Sequence, residues 1–307
     1  MNKIKAIILD VDGVIVGDKA GFNAPYPPTE VINKLKQIRE NGVYVILCSA
    51  KPYYSVKKIV DDANLNNIQT ALAGAILIDP SSLRITKKHI IENGIAADLT
   101  KKFLSNNIYT EVYTTDKYYI QKEQKNEITD LHNFTLSFKP IMVDSLIDQI
   151  KKSEIVKILP VTKTAKERQI VDEIFSDYGS KLMIGWSTHP AIKGYYFGNI
   201  TASGISKKQS VLEIMDIYKI KTEEILGVGD SLTDWDFIGI CGYAGVMGNA
   251  ADDLKKLVLS KRNSGYVGNL STKTGYWIFL NILDYEKYFF NQICMAFNLY
   301  CNCNYFT

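Results

Sequence analysis

The chain has 307 residues, 46% of them hydrophobic and 22% charged, with a net charge of +3. That length suggests two domains and is ample for a sizeable core, and the composition is ordinary for a soluble globular protein. The two signs of charge are well mixed, which leaves no electrostatic case for nucleic acid or an anionic membrane as partner.

The first predicted element is Ala6 to Leu9, a continuous apolar run of the kind found in a strand buried on both faces of a parallel sheet. It is too short for a signal peptide and stops at Asp10, so a cytoplasmic protein is expected. Asp10 and Asp12, followed by Gly13, end the run, and ligands of open α/β sheets bind beyond the carboxyl ends of strands. Two acids at the mouth of a buried strand are costly unless a cation or a reaction uses them. A calcium loop would need a third oxygen residue before the Gly and a Glu six residues after it, and neither is present. A plain Asp-Gly turn stays open at this point.

A helix is predicted from Thr29, as its cap, to about Asn41, with Val31, Leu35 and Ile38 on one face and Gly42 as its stop. Val43 to Cys48 reads as a second buried strand, which ends in Ser49-Ala50-Lys51-Pro52. An amphipathic helix with Val56, Ile59 and Val60 follows, then a third short strand at 69–73 before Gly74. This alternation predicts a parallel sheet with right-handed crossovers. From Pro80 the pattern changes. Thr110 to Thr114 and Lys117 to Gln121 mix apolar and polar residues at short period, as strands with one wet face do. Helices near 96–104, 143–152 and 167–178, with strands at 155–159, 182–186 and 195–197, complete an inserted α+β domain over residues 81–198 with an antiparallel or mixed sheet.

The core pattern returns with Ser203 to Lys208, a helix carrying Val211, Leu212, Ile214 and Met215, and a strand from Glu224 to Gly229 that Asp230 to Asp234 interrupt. A helix through Phe237 and Ile238 and a last short strand, Tyr243 to Met247, follow. The expected organisation is a core of residues 1–80 and 199–290, the insert at 81–198, and a tail at 291–307. Cys48 and Cys241 read as buried thiols, and Cys294, Cys301 and Cys303 show no framework spacing. The longest late apolar run, Tyr276 to Leu283, is too short to span a bilayer.

Asp10 and Asp12 end strand one, Ser49 follows strand two, Lys207 opens the helix after the insert, and Asp230 and Asp234 follow the next strand. If strands one and 224–229 are neighbours, their carboxylates meet, and a group of carboxylates favours a hard divalent cation such as Mg²⁺. A hydroxyl and a lysine beside that cation suit a phosphoryl group.

As a set, these motifs resemble the haloacid-dehalogenase (HAD) superfamily of phosphatases: Asp10-Val-Asp12-Gly13 its first motif, Ser49 its second, Lys207 its third, and Gly229-Asp230-Ser-Leu-Thr-Asp234 its fourth. The long insert, Gly204-Ile-Ser-Lys207 and Val246-Met-Gly-Asn-Ala250 resemble the Cof-type, class IIB members with a large α/β cap. The resemblance implies a Rossmann-like parallel-sheet core with an inserted α+β cap, and hydrolysis of a small phosphorylated metabolite, a sugar phosphate being the first choice. It makes Asp10 the nucleophile and Asp12 the acid and base. Asp10, Asp12 and Asp230 would bind Mg²⁺ with support from Asp234, and Ser49 and Lys207, preferred over Lys208, would hold the phosphoryl oxygens. Val14, Ala50-Lys51, Ala73 and Thr233 depart from the common family residues. Lys51 in place of Arg, a candidate substrate contact, loses a bidentate fork. A phosphomutase of the same fold and a non-catalytic binding protein are the alternatives. A monomer or homodimer is expected, without nucleic acid or membrane partners. His189, Lys193 and Tyr195 to Phe197 are either cap contacts or ordinary sheet packing.

Overall fold

The computed structural model describes residues 4–248, 250–268 and 299–300. The described residues within Met1–Cys48, Ile59–Asn67 and Val211–Thr307 form one compact unit, and those within Ser49–Lys58 and Ile68–Ser210 form the other.

The first unit is built on a sheet in the order β15-β14-β13-β12-β1-β2. Its strands are β1 (Ala6–Leu9), β2 (Tyr44–Leu47), β12 (Ile225–Gly229), β13 (Tyr243–Val246), β14 (Gly265–Gly268) and β15 (Leu299–Tyr300). All pair in parallel except β15, which runs antiparallel to β14. Every residue of β1 is buried, because a central strand of a parallel sheet has no wet face. The register Leu9↔Val228 brings the ends of β1 and β12 level, so the loops that follow them open at the same edge. Helix α1 (Thr29–Glu40) lays Val31, Leu35 and Ile38 into the core. Its N-cap is Pro28 and no side chain caps it, so Thr29 is the first helical residue rather than the expected cap. Helices α8 (Trp235–Ile238) and α9 (Asp252–Leu259) belong to this unit, while α2 (Tyr53–Asp62) and α7 (Lys207–Tyr218) each contribute residues to both.

The second unit holds two sheets. The larger, in the order β10-β11-β9-β6-β7-β8, joins β6 (Tyr109–Tyr113), β7 (Tyr118–Gln121), β8 (Ile141–Val143), β9 (Lys157–Thr162), β10 (Leu182–His189) and β11 (Ile192–Ala202). It is mixed, since β7 and β8 pair in parallel and the other neighbours antiparallel. Helices α3 (Asn93–Ser105), α4 (Glu127–Leu136), α5 (Leu146–Lys151) and α6 (Ala165–Ser176) accompany it. Leu99, Phe103, Ile150 and Val171 of three of them pack into one apolar cluster with Val112, Ile158 and Ile200 of the sheet. Helix α6 starts at Thr164, whose hydroxyl accepts from Glu167 N–H while the Glu167 carboxylate accepts from Thr164 N–H, a reciprocal cap.

Three features differ from expectation. The third strand does not extend the parallel sheet: β3 (Gln69–Ala71) pairs antiparallel with β4 (Ile76–Asp79), and β5 (Arg84–Lys88) completes a separate three-stranded sheet. The cause is the tight 3₁₀ turn at Leu72–Gly74, where Leu72, Ala73 and Gly74 all take positive φ and reverse the chain. The wet face foreseen for β6 is absent, because all its residues are buried, Glu111 completely. Helix α4 lay in a stretch without a predicted element. His189, Lys193 and Tyr195 to Phe197 stand on β10 and β11, where Phe197 is buried in packing. Cys48 and Cys241 are buried free thiols. Tyr276 to Leu283 and the three late cysteines lie outside the described residues. Among the described residues no helix is long and apolar enough to cross a membrane.

Candidate active site

Two adjacent strands of the parallel sheet deliver three carboxylates to one point. Asp10 follows β1, and Asp230 and Asp234 follow β12; one oxygen of each lies within 4.8 Å of the other two. The Asp12 carboxylate is not in this group, and its backbone bridges to Val16 instead. Asp10 is 8% exposed and Asp234 fully buried, so the repulsion among these groups is poorly screened by water.

Local hydrogen bonds fix the Asp10 and Asp234 carboxylates. Asp10 Oδ1 accepts from Val11 N–H at 2.8 Å. Asp234 Oδ2 accepts from the N–H groups of Asp230 and Ser231 at 3.1 and 3.0 Å and from the Ser231 hydroxyl at 2.8 Å. Its buried charge is thereby satisfied and the loop that carries Asp230 is closed upon it. Asp234 is therefore placed to shape the loop.

Gly13 is required by this arrangement. It has φ of +82°, and a Cβ there would stand 1.8 Å from Asp230 Oδ2. The Gly13→Ala variant therefore meets both backbone strain and a displaced carboxylate. Its kcat/KM is expected to fall on the order of 100-fold, as small misplacements of reacting groups do, with weaker Mg²⁺ binding by calorimetry. Wild-type Mg²⁺ affinity in a folded Gly13→Ala protein would refute the role given to this contact.

The oxygen-only donor set, partly buried and carrying like charges, suits a hard divalent cation, and Mg²⁺ fits it better than a soft metal.

In the second unit, Ser49, Lys51 and Lys207 come to a common turn. The Ser49 carbonyl accepts from Ala73 N–H at 3.0 Å and the Lys51 carbonyl from Leu72 N–H at 2.8 Å. Lys51 N–H donates to Ser49 Oγ at 3.1 Å. Gly74, at φ +97°, approaches so closely that a Cβ would lie 2.3 Å from Ser206 O and 3.3 Å from Lys207 N. The 3₁₀ turn thus holds the segment after β2 and the start of α7 together. Ser49 and Lys51 are buried, at 2% and 6% exposure.

Sequence reasoning missed two groups beside this turn. Lys157 opens β9, is fully enclosed, and donates from Nζ to the Ala50 carbonyl at 2.9 Å. Its ammonium lies 4.8 Å from the centre of the Tyr113 ring, its register partner on β6. Burial pushes its pKa down to about 7, the nearby Glu111 carboxylate opposing and Lys207 reinforcing the shift. Glu111 is the second group. Burial alone would raise its pKa, but the charge and hydrogen bond of His132 and the hydroxyls of Tyr113 and Tyr109 outweigh it and hold it below the usual range. His132 Nδ1 stands 2.9 Å and the Tyr109 hydroxyl 3.1 Å from Glu111 Oε1, and Tyr113 donates to Oε2. The only sequence signal for either residue is a charge inside an apolar strand.

Comparison with known proteins gives this geometry its family. Residues 7–260 match the haloacid dehalogenase-like hydrolases. A 5-amino-6-(5-phospho-D-ribitylamino)uracil phosphatase of Bacillus subtilis is 24% identical over 277 residues, covering 82% of this chain and 91% of that protein. Among solved structures, a haloacid dehalogenase-like hydrolase from Bacteroides thetaiotaomicron superposes with a TM-score of 0.73 at 19% identity, over 87% of this chain and 94% of that one. A HAD subclass IIB sugar phosphatase does so with a TM-score of 0.69 at 20% identity, over 86% and 93%. The parallel-sheet core and inserted α+β cap are the fold of these structures. With that match over most of its length, the chain belongs to the haloacid dehalogenase-like hydrolase family and is an enzyme of its phosphatase type.

Proposed function

We propose that this enzyme hydrolyses a small phosphorylated metabolite, a sugar phosphate in the first instance, with Mg²⁺ as cofactor and an aspartyl-phosphate on Asp10. The observation that carries the reading is the meeting of Asp10, Asp230 and Asp234 at the ends of β1 and β12. Asp10 attacks phosphorus, so that a bond from its carboxylate oxygen forms as the ester P–O bond breaks. Asp12 gives a proton to the departing oxygen, then takes one from the water that attacks the aspartyl-phosphate and frees inorganic phosphate. Ser49 and Lys207 hold phosphoryl oxygens, the hydroxyl by hydrogen bonding and the ammonium by charge. Asp10, Asp230 and the Asp12 main-chain carbonyl would hold Mg²⁺, with Asp234 in support, and the ion would neutralise charge on the phosphoryl group.

Residues 81–198 act as the cap that reads the leaving group and excludes water, with Lys51 as a substrate contact. Sugar phosphate is preferred because the similar subclass IIB structure is a sugar phosphatase, while the Bacillus subtilis relative acts on a ribityl phosphate. The enzyme works in the cytoplasm as a monomer or homodimer.

The test is phosphate release from a panel of sugar and polyol phosphates with Mg²⁺. Hydrolysis of at least one is expected at kcat/KM on the order of 10⁴ M⁻¹s⁻¹ or above. Chelator should abolish it and Ca²⁺ restore it poorly, because its larger and looser shell spoils in-line geometry. No release from any member would end the phosphatase reading of this site, and full activity in excess chelator would end its metal assignment.

A further inference from the structure

Three consecutive carbonyls follow the end of β2, and all three are held. Those of Ser49 and Lys51 accept backbone N–H groups of the Leu72–Gly74 turn. The one between them, of Ala50, accepts instead from the Lys157 side chain, which arrives from 107 residues away in sequence. Burying a lysine beside another cationic side chain, Lys207, is unfavourable, and the depressed pKa reports that cost. A backbone carbonyl has cheaper partners, water included.

The planar trans peptide between Ala50 and Lys51 makes this bond consequential. Its carbonyl and its N–H point in opposite directions, so fixing one fixes the other. The N–H of that peptide donates to Ser49 Oγ. A hydroxyl that accepts an N–H still has its own proton to donate elsewhere. A pull on the Ala50 carbonyl therefore sets where the Ser49 hydroxyl proton is aimed.

We propose that Lys157 is a positioning residue for phosphoryl binding: by holding the Ala50 carbonyl it locks the peptide that orients the Ser49 hydroxyl. This rests on the reading of Ser49 as a holder of phosphoryl oxygen. Charge is not essential to the role, since a neutral amine keeps N–H groups that can donate to Ala50. Tyr113 and Glu111 keep the side chain in place from the side of β6. The Leu72–Gly74 turn holds the flanking carbonyls.

The experiment is a double-mutant cycle on the full chain with Lys157→Met and Ser49→Ala, using p-nitrophenyl phosphate turnover and inorganic phosphate binding. Met keeps the length and the packing on Tyr113 while removing the donor. Each single variant should lose about 10- to 100-fold in kcat/KM and bind phosphate about tenfold more weakly. The double variant should fall within about threefold of Ser49→Ala alone, because coupled groups are not additive. A lysine that only supports the fold would give multiplied losses, and that result overturns the proposal. If Lys157→Met does not fold by circular dichroism, Lys157→Arg enters the same cycle, since its wider head must displace the Ala50 carbonyl. Additivity there is equally fatal. Wild-type protein that neither releases nor binds phosphate would instead overturn the underlying reading of Ser49.

Discussion

Asp10→Asn is expected to abolish turnover, with kcat lower by on the order of 10⁴-fold or more, the scale seen when a covalent nucleophile is removed. The amide keeps the shape of the carboxylate and an oxygen able to accept Val11 N–H, so the end of β1 should not move. What it loses is a lone pair nucleophilic enough to take a phosphoryl group and one negative charge of a crowded three-carboxylate cluster. Relief of that repulsion should raise the melting temperature of the metal-free protein by a few degrees, corresponding to about 1 kcal/mol. The pairing of lost turnover with retained or improved stability separates a functional acid from a structural one. Mass spectrometry of acid-quenched wild-type enzyme should show a phosphoryl adduct that Asp10→Asn lacks. Wild-type turnover by the variant would end the covalent mechanism.

The carboxylate-bearing end of the parallel sheet was legible in sequence because its physics is local. A strand buried on both faces must be apolar throughout, so Ala6 to Leu9 announces itself, and acids directly after it stand out. The meeting of Asp10 with Asp230 required only that β1 and β12 be neighbours, which the parallel pattern on both sides of the insert suggested. The third strand misled because three residues carry no information about their partner. Its reversal depends on Leu72 and Ala73 at positive φ, a conformation that neither residue type advertises. The interior of the cap was opaque for a different reason. Glu111, His132 and Lys157 look like solvent-facing residues by type, and for Glu111 the mixed pattern of 110–114 predicts a wet face. They are buried because they satisfy one another and the tyrosines around them, and that pairing spans elements far apart in sequence. Helix α4 was hidden by the same circumstance, since the face it buries includes Thr129, His132 and Thr135.

Glu111→Gln should destabilise the cap more than any surface change. The carboxylate accepts from Tyr109, Tyr113 and His132, and its charge opposes the burial penalty on Lys157. An amide supplies one acceptor oxygen and turns a donor toward groups that themselves donate. Breaking a buried, satisfied charge network by removing one member costs about 3–5 kcal/mol, which for a domain of this size is a fall in melting temperature of roughly 6–20 °C. The pH dependence has a definite sign. Glu111 has a folded pKa below its unfolded value, so its contribution is fully present above about pH 4.3, the ordinary glutamate value, and is lost as pH falls through the lower folded pKa. The gap between wild type and Glu111→Gln should therefore be full at pH 7 and narrow below pH 4. Lys157 moves the other way, since its folded pKa is depressed to about 7. The cost of burying its charge is full below that pH and is relieved as pH rises toward the unfolded lysine value. Removing Glu111 lowers that folded pKa further, so the part of the gap that runs through Lys157 is present below about pH 7, where the wild-type ammonium is charged, and is gone by pH 9. Thermal unfolding of both proteins at pH 3.5, 7 and 9 measures all three points. A melting-temperature gap that stays constant across them would show that Glu111 is held by packing alone and that its charge does nothing for the cap.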